Sequence, residues 1–92
     1  MQITNEAPEP GLEPFVPKFI DDRLSEISVL LAEKNISSIQ TKAHQWKGFS
    51  RPYGFAHLEA IAKEIEKSDL KQALDLLIQA EDYCKKRAEL LP

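Results

Sequence analysis

A histidine, a lysine and a glycine fall together in the run Ala43-His44-Gln45-Trp46-Lys47-Gly48, and a second glycine, Gly54, follows ten residues after the histidine. On a helix, positions three and four apart sit side by side, so His44, Lys47 and Gly48 share one patch of surface. Imidazole offers a nucleophilic nitrogen near neutral pH, an ammonium one turn away can face anionic oxygens, and the missing side chain at Gly48 makes room. Glycine inside a helix costs roughly 1 kcal/mol relative to alanine, so its position needs a reason. Close approach of a partner is such a reason, and the chemistry that fits the patch is the holding of one phosphoryl group.

Helices must position these residues, and the apolar pattern supplies them. Residues 1–14 carry three of the six prolines and little apolar surface, which predicts a flexible lead ahead of a single domain over 15–92. Phe15, Val16, Phe19, Ile20, Leu24, Ile27, Leu30 and Leu31 then recur at threes and fours, predicting a first helix over about 17–34. Asn35 either ends that helix or caps the second, which carries Ile39, Ala43 and Trp46 inward and Ser37, Gln40, His44, Lys47 and Arg51 on the opposite stripe. Pro52, Tyr53 and Gly54 break it. A third helix buries Phe55, Leu58, Ala62 and Ile65 and stops near Lys67. Ser68 or Asp69 caps a fourth, with Gln72 able to complete a box with Asp69, and its inner face is Leu70, Ala73, Leu74, Leu77, Ala80, Cys84, Ala88 and Leu91. No strand pattern, internal repeat or low-complexity tract competes. Four helices with short links predict an all-α, antiparallel up-down-up-down four-helix bundle.

Composition narrows the function classes. Ninety-two residues make room for one core. A content of 42% hydrophobic and 29% charged residues is that of a globular protein, and no apolar run approaches the length of a membrane span. The polar start has no basic region leading into an apolar stretch, which points to the cytoplasm. One cysteine, Cys84, cannot form an internal disulfide. A net charge of -3 argues against nucleic acid as the main partner, and the short cluster Lys85, Lys86 and Arg87, flanked by acids, reads as a solvated helix end. No metal-ligand cluster and no glycine-rich phosphate loop is present, so neither a metal nor ATP is expected to be bound by this chain.

The spacing of His44, Lys47, Gly48 and Gly54, with Leu58, Ile61, Ala62 and Ile65 beyond, resembles the His-x-x-Lys-Gly signature of the histidine-containing phosphotransfer (HPt) domains of multistep two-component relays. The match is densest over 43–66 and extends more weakly from Phe15 to Leu90. This resemblance implies a phosphorelay carrier that accepts phosphoryl from an aspartyl phosphate onto Nε2 of His44 and passes it on, without kinase activity of its own. Lys47 would stabilise phosphoryl charge and Gly48 would admit the receiver. The implied partners are response-regulator receiver domains and a hybrid histidine kinase, with Mg²⁺ in the receiver's acidic pocket, and the expected state is a monomer.

Glu66 lies 22 residues after His44, where such domains often carry a Gln or Glu that bonds the other ring nitrogen; it reads equally as an exposed glutamate near a helix end. Gln40, Phe49 and Arg51 are candidate receiver contacts. Phe49 departs from the small residue usual at its position, so it either docks onto a receiver or obstructs one, and Arg51 adds positive potential or is a plain surface arginine. Trp46 reads as core and His57 as an ordinary polar-face histidine. Ser50 lacks the base a nucleophile needs. The alternative reading is an adaptor that binds and inhibits or tethers a receiver or kinase without passing phosphate. A bundle with structural duties alone would leave His44, Lys47 and Gly48 unexplained.

Overall fold

The protein is described by a computed structural model covering residues 6–91. A single 3-10 turn, Glu13–Phe15, leads into four helices: α1 (Val16–Glu33), α2 (Ile36–Phe49), α3 (Ala56–Glu66) and α4 (Leu70–Glu89). Among the described residues there is no strand, and the molecule is an all-α four-helix bundle.

The helix ends follow from side-chain chemistry. Lys34 closes α1 in the left-handed region at φ 53°, its N–H donating to the Leu30 carbonyl. Asn35 is therefore free to cap α2, and its Oδ1 accepts from Ser38 N–H at 3.0 Å. Asp69 caps α4 in the same way, accepting from Gln72 N–H at 2.9 Å; only this half of the expected box with Gln72 is made. Helix α2 stops at Phe49 because Pro52 lies just beyond, and Ser50 finishes it by donating both its N–H and its Oγ–H to the Trp46 carbonyl.

Helix α2 packs on α3, α1 on α4 and α3 on α4. The interior is one cluster in which Phe19, Ile20 and Ile27 of α1, Ile39, Ala43 and Trp46 of α2, Leu58, Ala62 and Ile65 of α3 and Ala73, Leu77 and Cys84 of α4 meet. Each fully buried Ile, Leu or Phe contributes about 1.5–3 kcal/mol. Trp46 joins the core as expected, but its indole N–H also finds a partner, donating to Glu26 Oε1 at 2.7 Å across the α1–α2 seam. Two positions of the expected inner stripes need correcting. Phe15 lies ahead of α1 in the 3-10 turn and is 55% exposed, and Leu70, in the first turn of α4, is also exposed. Tyr83 takes a buried place that the stripe had omitted. Burial pushes the Cys84 thiol up to about 12, which leaves it protonated and inert.

Of the expected flexible lead, residues 1–5 lie outside the described residues, while 6–14 make definite contacts. The Glu6 carboxylate accepts from Tyr83 Oη and from Arg87 Nη1, both at 2.7 Å, and Glu9 N–H donates to the Pro52 carbonyl at 2.8 Å. Arg87 also donates to the Gly54 carbonyl at 2.7 Å and lies 4.0 Å over the Phe55 ring. The solvated basic end expected for Lys85, Lys86 and Arg87 is thus right for the exposed lysines and wrong for Arg87, which is tucked into an ion pair.

Gly48, inside α2, and Gly54, in the turn that follows it, differ in kind. Gly54 has φ +85°, and a Cβ there would meet Ala7 C and Pro8 N of the leading segment at 2.7 Å. At Gly48 a Cβ meets nothing within 4 Å. Gly54→Ala is therefore expected to lower stability by about 1–3 kcal/mol, whereas Gly48→Ala raises it by about 0.5–1 kcal/mol through helix propensity. Urea unfolding followed by circular dichroism checks both, and equal stability of Gly54→Ala and the parent would mean that the leading segment is not seated on the turn.

Candidate functional site

His44 and Lys47 stand on the outer stripe of α2 because Ile39, Ala43 and Trp46 take the inner one. Helix α3 packs against α2 and ends at Glu66, and this brings the carboxylate to both side chains. His44 Nδ1 lies 3.1 Å from Glu66 Oε2, and Lys47 Nζ lies 2.8 Å from Glu66 Oε1. The two partners use different oxygens, so one carboxylate holds both. Assigned from this bond, the neutral ring carries its proton on Nδ1 and donates it to Glu66, which leaves the lone pair on Nε2. The His44 side chain is 71% exposed, whereas those of Lys47 and Glu66 are 35% and 28% exposed. A reachable ring thus rests on a half-buried ionic support.

Glu66 is the last residue of α3, the end where the helix dipole disfavours a carboxylate. It nevertheless stays ionised: the Lys47 hydrogen bond, then the His44 hydrogen bond, hold its carboxyl below the usual carboxylate range. Gly48 adds the open surface expected of it beside these groups. The cluster can present a nucleophilic nitrogen, keep the opposite nitrogen protonated and supply a cation within reach of an incoming anion.

The remaining candidates are placed elsewhere or already engaged. Gln40 points its amide at the end of α3, with Nε2 3.2 Å from the Ser68 carbonyl. Arg51 forms a two-point pair with Glu59, Nε to Oε2 at 3.2 Å and Nη2 to Oε1 at 2.7 Å, and this hydrogen bond leads the lowering of the Glu59 carboxyl. Its guanidinium is paired with α3 and not with the histidine cluster, which is nearer the plain-surface reading of the two left open for it. Phe49 is half-buried and turned toward α1, edge-on to Phe19 at 5.9 Å and 4.7 Å from the Arg23 guanidinium. It therefore forms part of an aromatic cluster with Phe19 and Tyr53, off the His44 face. His57 packs edge-on against Tyr83, and Ser50 is buried with its hydroxyl turned back onto α2. Sequence reasoning missed Glu26, which receives Arg23, Lys42 and the Trp46 indole; a glutamate one turn after an arginine carried no mark of that third, distant partner.

Among the described residues no group of three or more His, Cys, Asp or Glu side chains could hold a metal ion, and no helix is long and apolar enough to cross a membrane. Compared with protein-family models, curated proteins and solved structures, the chain gives no significant match in any of the three.

The lowered carboxyl has a consequence with a definite sign. The folded chain binds the Glu66 proton less readily than the unfolded chain, so the stability contributed by the cluster is full above the ordinary carboxylate range and is lost as pH falls through the lowered Glu66 value. Carbon-13 NMR titration of the carboxyl groups is expected to place Glu66 low, with Lys47→Ala moving it back further than His44→Ala does. A Glu66 that titrates like a free glutamate would dissolve the cluster.

Proposed function

We propose that the protein is a histidine phosphotransfer protein, an antiparallel bundle of the HPt kind that relays a phosphoryl group between receiver-domain aspartates through His44. The observation that carries this reading is the Glu66 carboxylate seated on His44 Nδ1 with Lys47 on its other oxygen. In such a transfer the Nε2 lone pair forms the N–P bond as the P–O bond to the receiver's aspartate breaks, and the aspartate leaves as carboxylate. The ring keeps its Nδ1 proton and becomes cationic, facing an ionised Glu66 that is already in place. Transfer of this kind passes through a loose transition state, so positioning and charge are most of what a protein must supply. Lys47 has a carboxylate partner at rest and gains a second, more highly charged one when phosphoryl arrives. Gly48 leaves the approach clear, with nothing near its missing Cβ.

On this reading the partners are response-regulator receiver domains and a hybrid histidine kinase, Mg²⁺ belongs to the receiver, and the protein works in the cytoplasm. It is a carrier and cosubstrate of the receiver's chemistry, with no kinase activity of its own.

Purified receiver domains, prephosphorylated and mixed with the protein, are expected to label His44, as read by mass spectrometry under non-acidic conditions, and His44→Gln abolishes the label. Binding without label would identify a non-transferring adaptor instead. Lys47→Ala is expected to slow transfer by about 10²-fold with a smaller loss of receiver affinity. Equal rates in stopped-flow would remove Lys47 from its role.

A further inference from the structure

Glu66 reaches His44 only if the last turn of α3 is held at one height against α2. That turn ends in carbonyls with no partners within the helix. Ser68 serves one of them, donating its N–H at 3.1 Å and its Oγ–H at 2.8 Å to the Ile65 carbonyl. From the neighbouring helix, Gln40 Nε2 reaches two of them, 3.4 Å from the Glu66 carbonyl and 3.5 Å from that of Ile65, and lies nearest, at 3.2 Å, to the carbonyl of Ser68 in the link to α4. One amide nitrogen carries two hydrogens, so the three acceptors share them. Gln40 is one helical turn before His44 on the same stripe of α2. The clamp and the histidine it serves are therefore fixed to one rigid rod.

We propose that Gln40, expected to contact a receiver, is instead a positioning residue: it clamps the end of α3 and the link that follows it, through the carbonyls of Ser68, Glu66 and Ile65, and so sets the Glu66 carboxylate on Nδ1 of His44. The donors also offset the crowding of carbonyl dipoles against a carboxylate placed at the negative end of α3. The importance of this clamp for phosphoryl transfer rests on the function proposed above; its effect on the imidazole does not.

The test reads the ring directly. In nitrogen-15 correlation spectra of the unphosphorylated protein, Gln40→Leu is expected to lower the ratio of Nδ1–H to Nε2–H tautomer at His44 about tenfold, the weight of one hydrogen bond to a charged group. His57 is the internal reference and stays unchanged. In a Glu66→Ala background the same substitution changes nothing further, because Gln40 acts through Glu66. An unaltered His44 ratio in folded Gln40→Leu, or an alteration that persists without Glu66, would overturn the proposal; Gln40→Met, equally unable to donate, gives the same reading if the leucine variant does not fold. Phosphoryl uptake by the parent from receiver domains separates the two claims. A shifted tautomer in a protein that accepts no phosphoryl keeps the clamp and rejects the relay, while uptake with an unmoved tautomer does the reverse.

Discussion

The Glu66 carboxylate is the point at which the outer stripe of α2 and the end of α3 become one site, with His44 on one oxygen and Lys47 on the other. Nothing local to α3 favours an acid there, since the end of a helix attracts cations. The placement is tolerable only because α2 brings a lysine and a ring N–H to it, and these can arrive only if the two helices keep their register. The register is held from beneath by Ile39, Ala43 and Trp46 packed in the same core as Leu58, Ala62 and Ile65, and from the side by the Arg51–Glu59 pair. Apolar packing fixes the distance between the helices, and polar contacts at both ends of the seam fix the slide of one along the other.

The opposite end of the seam is organised by the leading segment. Glu6 and Arg87 form a largely buried ion pair, each side chain about one-tenth exposed (11% and 12%). Arg87 spends further hydrogen bonds on Tyr83 and the Gly54 carbonyl. An unpaired buried charge costs several kcal/mol, so these groups stand or fall together. The leading segment, the turn between α2 and α3 and the last turns of α4 are thereby tied into one corner, far along the chain from one another but adjacent in space.

Local signals carried much of this structure. The helices lie where the apolar periodicity puts them, and Asn35 and Asp69 cap as their side chains dictate; the contact of Glu66 with His44 is one of two open readings, suggested by the resemblance and by no local signal, and the packing of α3 on α2 makes it. What the sequence left open are interactions whose partners share no local pattern. Arg51 reads either as a site arginine or as a plain surface one, and nothing local marks Glu59, across the turn, as its partner. Phe49 reads as a surface aromatic because its partner Phe19 belongs to another helix, and Arg87 reads as solvated because Glu6 lies at the other end of the chain. Gln40 is the subtlest case, since its partners are main-chain carbonyls, which any residue supplies and no sequence distinguishes.

The chain contains one tryptophan, and it lies fully buried with its indole N–H bonded to Glu26 on the neighbouring helix. All indole emission from this molecule therefore originates at a single point inside the seam between α1 and α2, beneath the outer stripe that carries His44 and not on it. The protein carries its own optical gauge of core integrity: a substitution at the surface cluster that leaves the emission spectrum unaltered has left the frame intact, and any loss of chemistry then belongs to the cluster alone.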